Sequence, residues 1–274
     1  MSMSPFFISA TDLIDLVGTA QAPMLFDTCR AEAFCASDRI IAGAKWRSLR
    51  TLDDWITEIP QGRDVVVNCV HGQQMSQSAA ARLRQKGVNA RVLQGGIAAY
   101  IEAGGITIAK SDDLPNYHET VTRWVTRERP KVDRIACLWF IRRFVDPFAE
   151  IHFVEDDWVK DAAVELEAIP FDVPETDFSH DGEKCSFDTF LVRFGVEDDS
   201  LHHLARIVRG ADTARLDLAP EAAGLLALSL GVSAANQDDQ ASLAQGMVIY
   251  DALYSWCRDA VAESHNWPAQ ASSQ

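Results

Sequence analysis

The chemistry legible in this chain starts at Cys69. Three valines, Val65-Val66-Val67, lead into Asn68 and then Cys69-Val70-His71-Gly72-Gln73-Gln74-Met75, after which Ser76 opens a segment with helical spacing. A cysteine that ends a strand and precedes a short loop and a helix sits where amide N–H groups and the positive helix end converge. Such a setting lowers a thiol pKa and holds a thiolate, or a terminal persulfide, as an anion. It could equally cradle an oxyanion. The loop itself, rather than a neighbouring base, would activate the nucleophile. On spacing alone this reading stands level with a plainer one, a buried strand cysteine acting as a small hydrophobe. The loop carries no Arg or Lys, and His71 supplies a cation only below its ordinary pKa of ~6.5. Cys29 and Cys35 offer either a resolving thiol or two ordinary small residues.

A second set of candidates lies further on. Arg127, Arg129, Lys131, Arg134, Arg142 and Arg143 concentrate cations in an acidic region. On a continuous α-helix, Arg134 and Arg142 would fall within roughly 80° of one face, which suggests an oxyanion pocket. The alternative is internal pairing with Glu128, Asp133, Asp212 and Asp217. His180 and Cys185, with Glu183 and Asp188 beside them, offer N, S and O ligands at no established zinc spacing. A metal ion there needs a further ligand such as Asp212 or His152; a hydrogen-bonded turn is the simpler account. His202 and His203 point about 100° apart on a predicted helix, so at most one could join such a site. Trp139, Tyr250, Tyr254 and Trp256 read as core.

Stepping out to the elements, residues 24–27, 64–69 and 90–93 are short apolar or β-branched runs suited to buried strands. Residues 11–17, 52–59 and 76–86 have helical spacing, with Ser76 as an expected N-cap and Gly87 as a stop. This alternation predicts an α/β fold with a parallel sheet flanked by helices. The polar stretch 110–117 then marks a change. Helices are expected at 132–145, 186–194, 201–208, 220–230 and 240–262, with a strand at 151–154, so the second part is mainly α-helical. The expected division is a domain at 1–110, a linker at 111–122, a second domain at 123–264 and a tail at 265–274.

The 274 residues are 47% hydrophobic, enough for a substantial core. The formal net charge of −15 is uneven: residues 1–110 hold 11 basic and 10 acidic side chains, and the remainder 14 and 30. So acidic a second half repels a phosphate backbone, which argues against nucleic acid as a partner. Six cysteines without a CxxC pair suit a reducing compartment. No apolar run approaches the ~20 residues of a membrane span, and the first ten residues lack signal-peptide features, so a cytoplasmic location is expected.

Four segments in order resemble the rhodanese family. They are Leu25-Phe26-Asp27-Thr28-Cys29-Arg30 with Glu32 and Phe34, Ile41-Ala42-Gly43-Ala44, the Cys69 loop, and Leu93-Gln94-Gly95-Gly96 ending at Tyr100. The resemblance covers about the first 110 residues and implies a sulfurtransferase in which Cys69 cycles between thiolate and persulfide. It implies that Val70, His71, Gly72, Gln73, Gln74, Met75 and Ser76 form the anion cradle, supported by Asp27 and Arg30, unless those two make a structural ion pair. The partners implied are a small-molecule or protein sulfane-sulfur donor and a thiol acceptor, and no cofactor is required. The cation-free loop, one residue longer than usual unless the helix starts at Met75, favours a small persulfide over thiosulfate. Phosphatases related to this fold clamp their substrate with an Arg that is absent here.

From Trp124 onward the chain resembles the C-terminal domain of the chromate-resistance protein B family. The resemblance rests on Trp124-Val125-Thr126-Arg127-Glu128-Arg129-Pro130, Ser179-His180-Asp181-Gly182, Arg209-Gly210-Ala211-Asp212 and Gly246-Met247-Val248-Ile249-Tyr250-Asp251. It implies a link to chromate resistance. In regulators of that family a different N-terminal region carries the DNA function, so a repressor is not expected. The alternative to a sulfurtransferase is a chromate- or metal-sensing protein with an accessory rhodanese domain.

Overall fold

The computed structural model describes residues 5–111, 114 and 121–263. Most of the expected linker and the whole expected tail lie outside them. A five-stranded parallel sheet organises the first half, built from β1 (Phe7–Ile8), β2 (Met24–Asp27), β4 (Ala44–Trp46), β5 (Val65–Asn68) and β6 (Ala90–Leu93) in the order β1-β6-β5-β2-β4. Period-two alternation explains why these runs are apolar throughout. Met24, Phe26, Val65, Val67, Ala90 and Val92 face one layer with α3 (Leu52–Trp55) and α4 (Gln74–Gln85). Leu25, Val66 and Leu93 face the opposite layer, with α1 (Ala10–Ile14), α2 (Ala31–Ala36) and α5 (Gly96–Glu102). An antiparallel pair, β3 (Arg39–Ile41) with β7 (Thr107–Ala109), closes this half.

The second half is mostly helical, with a small parallel sheet that sequence reading found only in part. Its strands β8 (Arg123–Arg127), β9 (Glu150–Val154) and β10 (Ile169–Pro170) run in the order β10-β8-β9. Helix α6 (Val132–Phe140) is buried on nearly every side, as a central helix apolar around its circumference should be. It ends in a π-type turn at Ile141–Val145. Around it stand α7 (Val159–Glu165), α8 (Ser186–Arg193), α9 (Asp199–Asp212), α10 (Ala222–Ala235) and α11 (Asp239–Ser255). Trp139, Tyr250 and Tyr254 are buried core residues, and Trp256 packs against the core half-buried. Among the described residues no helix is long and apolar enough to cross a membrane.

The two halves share one hydrophobic core. A single cluster runs from Ile8, Leu25 and Val66 through Trp139, Phe144 and Tyr254. The Gly43 N–H donates to the Phe144 carbonyl at 2.6 Å, and the Ala109 N–H to the Phe194 carbonyl at 2.8 Å. Gly18, at φ +81°, lies so close to the second half that an added Cβ would meet the Phe144 ring at 2.4 Å. Lys45 reaches across to Asp146 at 3.0 Å, and the Asp146 side chain is fully buried. Burial pushes the Lys45 pKa down while Asp146 opposes it. Asp146 also accepts from the Thr122 N–H and hydroxyl.

Candidate functional site

Strand β5 delivers Cys69 to the sheet's carboxyl edge, and α4 begins at Gln74. The expected N-cap at Ser76 is therefore corrected, and the loop is shorter than read from sequence. Ser76 is a first-turn helical residue whose hydroxyl is turned inward, donating to the Gln73 carbonyl at 3.1 Å and lying 3.2 Å from Cys69 Sγ. An inward hydroxyl bonded this way does not accept from the helix amides, which is what a cap must do. Cys69 is 7% exposed, whereas Val70, His71, Gln73 and Gln74 above it are exposed and Met75 is half-buried. Among the described residues, the N–H groups of Val70, His71, Gly72 and Gln73 donate to no backbone carbonyl.

The loop's shape depends on the turn after β6. The Ile97 and Ala98 N–H groups donate to the carbonyls of Cys69 and Val70. Gly96, at φ +65°, abuts the loop so tightly that a Cβ would sit 2.1 Å from the Cys69 carbonyl oxygen. Gly72, at φ +66°, is matched against Leu93 and Gly96 in the same way. The Gln77 side chain donates to the Gly72 carbonyl. Two left-handed glycines thus let two backbone segments touch, and a side chain at Gly96 would push the cysteine carbonyl away.

Asp27 is buried at the end of the neighbouring strand β2 and accepts from the Cys29 N–H at 2.9 Å; burial raises its pKa. Arg30 is exposed at the start of α2 and, among the described residues, pairs with no carboxylate, so the Asp27–Arg30 ion pair is not formed. Cys29 is buried and Cys35 exposed. Burial, reinforced by Asp27, pushes the Cys29 thiol up and keeps it protonated. Lys110, unremarked in the sequence, donates to the Phe34 carbonyl and lies over the Phe34 ring; its charge is felt by Asp27 and Cys29.

The second-domain candidates separate. Arg134 is held by Asp172 at 3.2 Å and by the carbonyls of Arg127, Glu128 and Arg129. Arg142 instead lines a cavity at the domain boundary with Gly18, Arg63 and Arg143. The expected Arg134–Arg142 oxyanion pocket is corrected: the π turn at Ile141 changes the residue spacing, and Arg134 is already committed. Nor do Cys185 and Asp188 join a metal set. They form a capping box at α8, where Asp188 accepts from the Cys185 N–H and from Arg209.

What does converge is His180 with three carboxylates. Its Nε2 lies 3.4 Å from Asp133, 3.5 Å from Asp172 and 3.6 Å from Asp212. Asp133 and Asp172 are buried, while His180 and Asp212 remain partly exposed. Hydrogen bonding to Asp133 and Asp172 raises the His180 pKa to about 10. Burial, together with the Asp133 charge, raises Asp212 to about 6. Asp133 accepts from the Ser186 and Phe187 N–H groups, both at 2.8 Å; Asp172 takes the Ser186 hydroxyl, Arg127 and Arg134. Sequence reasoning named Asp133 only as an ion-pair partner and missed Asp172. The signal available was a lone acid inside the apolar run of α6. His152 stays outside this set, and His202 bonds the Val196 carbonyl instead.

Comparison with known proteins finds two family models that match successive parts of the chain. The model of the rhodanese-like domain matches residues 9–103, and that of the ChrB C-terminal domain matches residues 124–257. Protein ChrB of Cupriavidus metallidurans is 34% identical over 134 residues, 48% of this chain and 40% of that protein. The chain therefore spans well under two thirds of that relative's length. A rhodanese-related protein from Thermoplasma volcanium is 24% identical over 38% of this chain and 98% of its own, with a TM-score of 0.34. A rhodanese-like domain protein from Staphylococcus aureus is 17% identical over 40% and 95%, with a TM-score of 0.31. By its family matches the chain carries a rhodanese-like region at residues 9–103 followed by a ChrB C-terminal region at residues 124–257.

Proposed function

We propose that this protein is a rhodanese-type sulfurtransferase that carries sulfur as a persulfide on Cys69, in the service of chromate resistance or a related stress. The observation that carries the reading is the cysteine's position: it directly follows a parallel strand, meets the first turn of α4, and is followed by four amides that, among the described residues, have no backbone acceptors. Such amides stabilise an anion on or beyond the sulfur. In the first step the Cys69 thiolate attacks the outer sulfur of a sulfane donor. A Cys69–S bond forms, the donor's S–S bond breaks, and sulfite or a thiolate leaves with the electron pair. In the second step an acceptor thiolate takes the terminal sulfur and Cys69 departs as the thiolate. The Ser76 hydroxyl, 3.2 Å from Sγ, has one proton, held by the Gln73 carbonyl at rest, and turning it to an anionic sulfur gives the thiolate or persulfide a donor. A loop without fixed cations suits a small persulfide better than thiosulfate. The absence of disulfides among the six cysteines accords with a reducing, cytoplasmic setting.

The test is intact-mass spectrometry after incubation with glutathione persulfide or thiosulfate. One added sulfur atom, absent from Cys69→Ser and discharged by a thiol acceptor, is the expected result. No adduct with either donor overturns the reading. The alternative, a metal- or chromate-responsive protein in which the rhodanese domain is accessory, draws support from the His180 cluster rather than from any cationic pocket.

A further inference from the structure

We propose that Asp133, His180 and Asp212 form a binding site for one divalent first-row metal ion, open to water on its outer side. One donor atom from each of the three lies within 4.8 Å of the others. The His180 Nε2 stands 3.4 Å from Asp133 Oδ2 and 3.6 Å from Asp212 Oδ2. Two ligands each ~2.1 Å from a shared ion lie about 3–3.4 Å apart, so each of the two His180 distances needs a contraction of only a few tenths of an ångström. The three residues come from the first turn of α6, the loop before α8 and the last residue of α9.

Orientation of the ligands is already provided. Asp133 is fixed by two amides at the start of α8, Ser186 N–H and Phe187 N–H, each taking one lone pair of a different oxygen. That leaves a lone pair for an ion on Oδ2, the oxygen that faces His180, while Oδ1 also accepts from the Cys137 thiol. Asp172 faces the same His180 nitrogen at 3.5 Å but is clamped by Ser186, Arg127 and Arg134, so it is held as the wall of the site rather than as a ligand, and its contact with Nε2 gives way to the ion. The charge balance points the same way. Three carboxylates converge on the His180 imidazole, and in the metal-free protein its proton is the cation among them, a place that a divalent ion takes when the ring gives up that proton.

The donor set names the class of ion. One imidazole nitrogen and two carboxylates, without a thiolate, suit Mn²⁺, Fe²⁺ or Zn²⁺ rather than a soft ion. Cys137 and Cys185 do not compete: burial pushes both thiols far up, and Cys185 donates to Asp188. Half-exposed His180 and partly exposed Asp212 leave the remaining coordination positions to water or a substrate oxygen, as in open rather than closed sites.

The experiment uses the full chain, stripped with a chelator and titrated with Mn²⁺ alone, the free ion being read by electron paramagnetic resonance. One Mn²⁺ per chain is expected, with the dissociation constant raised at least ~10-fold by Asp212→Asn and by His180→Gln. No stoichiometric uptake, or uptake unchanged in both variants, overturns the proposal. Should a variant fail to fold, nitrogen NMR of the wild-type imidazoles with Zn²⁺ alone decides instead. A shift of His180 Nε2 on addition supports the site, and an unmoved resonance overturns it. Metal uptake is read independently of sulfur transfer, so either claim can fail alone.

Discussion

The Cys69 loop and the His180 cluster are built on opposite plans. The first is a backbone device: within eight consecutive residues a cysteine is followed by four amides that, among the described residues, lack backbone acceptors, and by a helix start, with a glycine turn from the next strand as a mould. The second is a side-chain device, in which residues 133, 172, 180 and 212 meet only because α6, α8 and α9 pack together. A backbone device tolerates changes in loop side chains but not in loop geometry. A side-chain device tolerates neither the loss of a ligand nor a shift of the helices that carry them.

The sharpest way to break this comparison is at the sulfur. Cys69→Ser is expected to abolish sulfur loading completely, measured by intact mass, while leaving the fold unchanged by circular dichroism. Next in size is the bond that ties the two halves together. Asp146→Ala strands a buried Lys45 and frees the Thr122 donors, which should cost about 3–5 kcal/mol in a urea melt. A single cooperative transition is expected in the wild type, because one core spans both domains. Two separate transitions would contradict the shared core.

Gly96→Ala tests the claim that geometry, not side-chain chemistry, makes the loop. A Cβ 2.1 Å from the Cys69 carbonyl, at a left-handed φ, should cost roughly 1–3 kcal/mol and slow sulfur loading. His71→Ala, which changes only an exposed side chain, should leave loading nearly untouched. Smaller still is Ser76→Ala. Losing one hydrogen bond to the sulfur amounts to about 0.5–1.5 kcal/mol, or roughly a 2–10-fold slower first step.

The cluster is sharpened by pH in the absence of added metal. Both His180 and Asp212 bind their protons more tightly in the folded state, at about 10 and about 6 against ordinary values of 6.5 and 3.8. Groups raised in this sense stabilise the fold below their unfolded pKa and lose that contribution as pH climbs through the folded one. Stability should therefore fall between about pH 4 and 6 through Asp212, and again between about 6.5 and 10 through His180. Imidazole NMR titration checks the second window; a His180 midpoint near 6.5 would remove it.

Strands and the Cys69 loop were legible because their information is local. Strands β2 and β6 match their predicted residues, and the valines of β5 announce a strand buried on both faces. Strands β3, β4, β7 and β10, two or three residues each, carry too little periodicity to be seen. Ser76 was misplaced because a serine before an apolar run can cap a helix or turn its hydroxyl inward, and only the packed thiol decides which. Arg134 and Arg142 were joined by assuming uniform helical spacing across a π turn that the sequence does not announce.

By itself, then, the sequence determined the two fold classes, the strand–cysteine–loop–helix order at Cys69, and the acidic bias of the second half. Each is set by neighbours in the chain, through side-chain period, backbone preference or plain charge. Tertiary structure alone decided that Asp133, Asp172, His180 and Asp212 share one site, that the two cations diverge, and that both domains rest on one core. Those outcomes depend on how separate elements bury apolar surface against each other, and the pairing of polar groups left at the seams follows from that packing rather than from any local pattern.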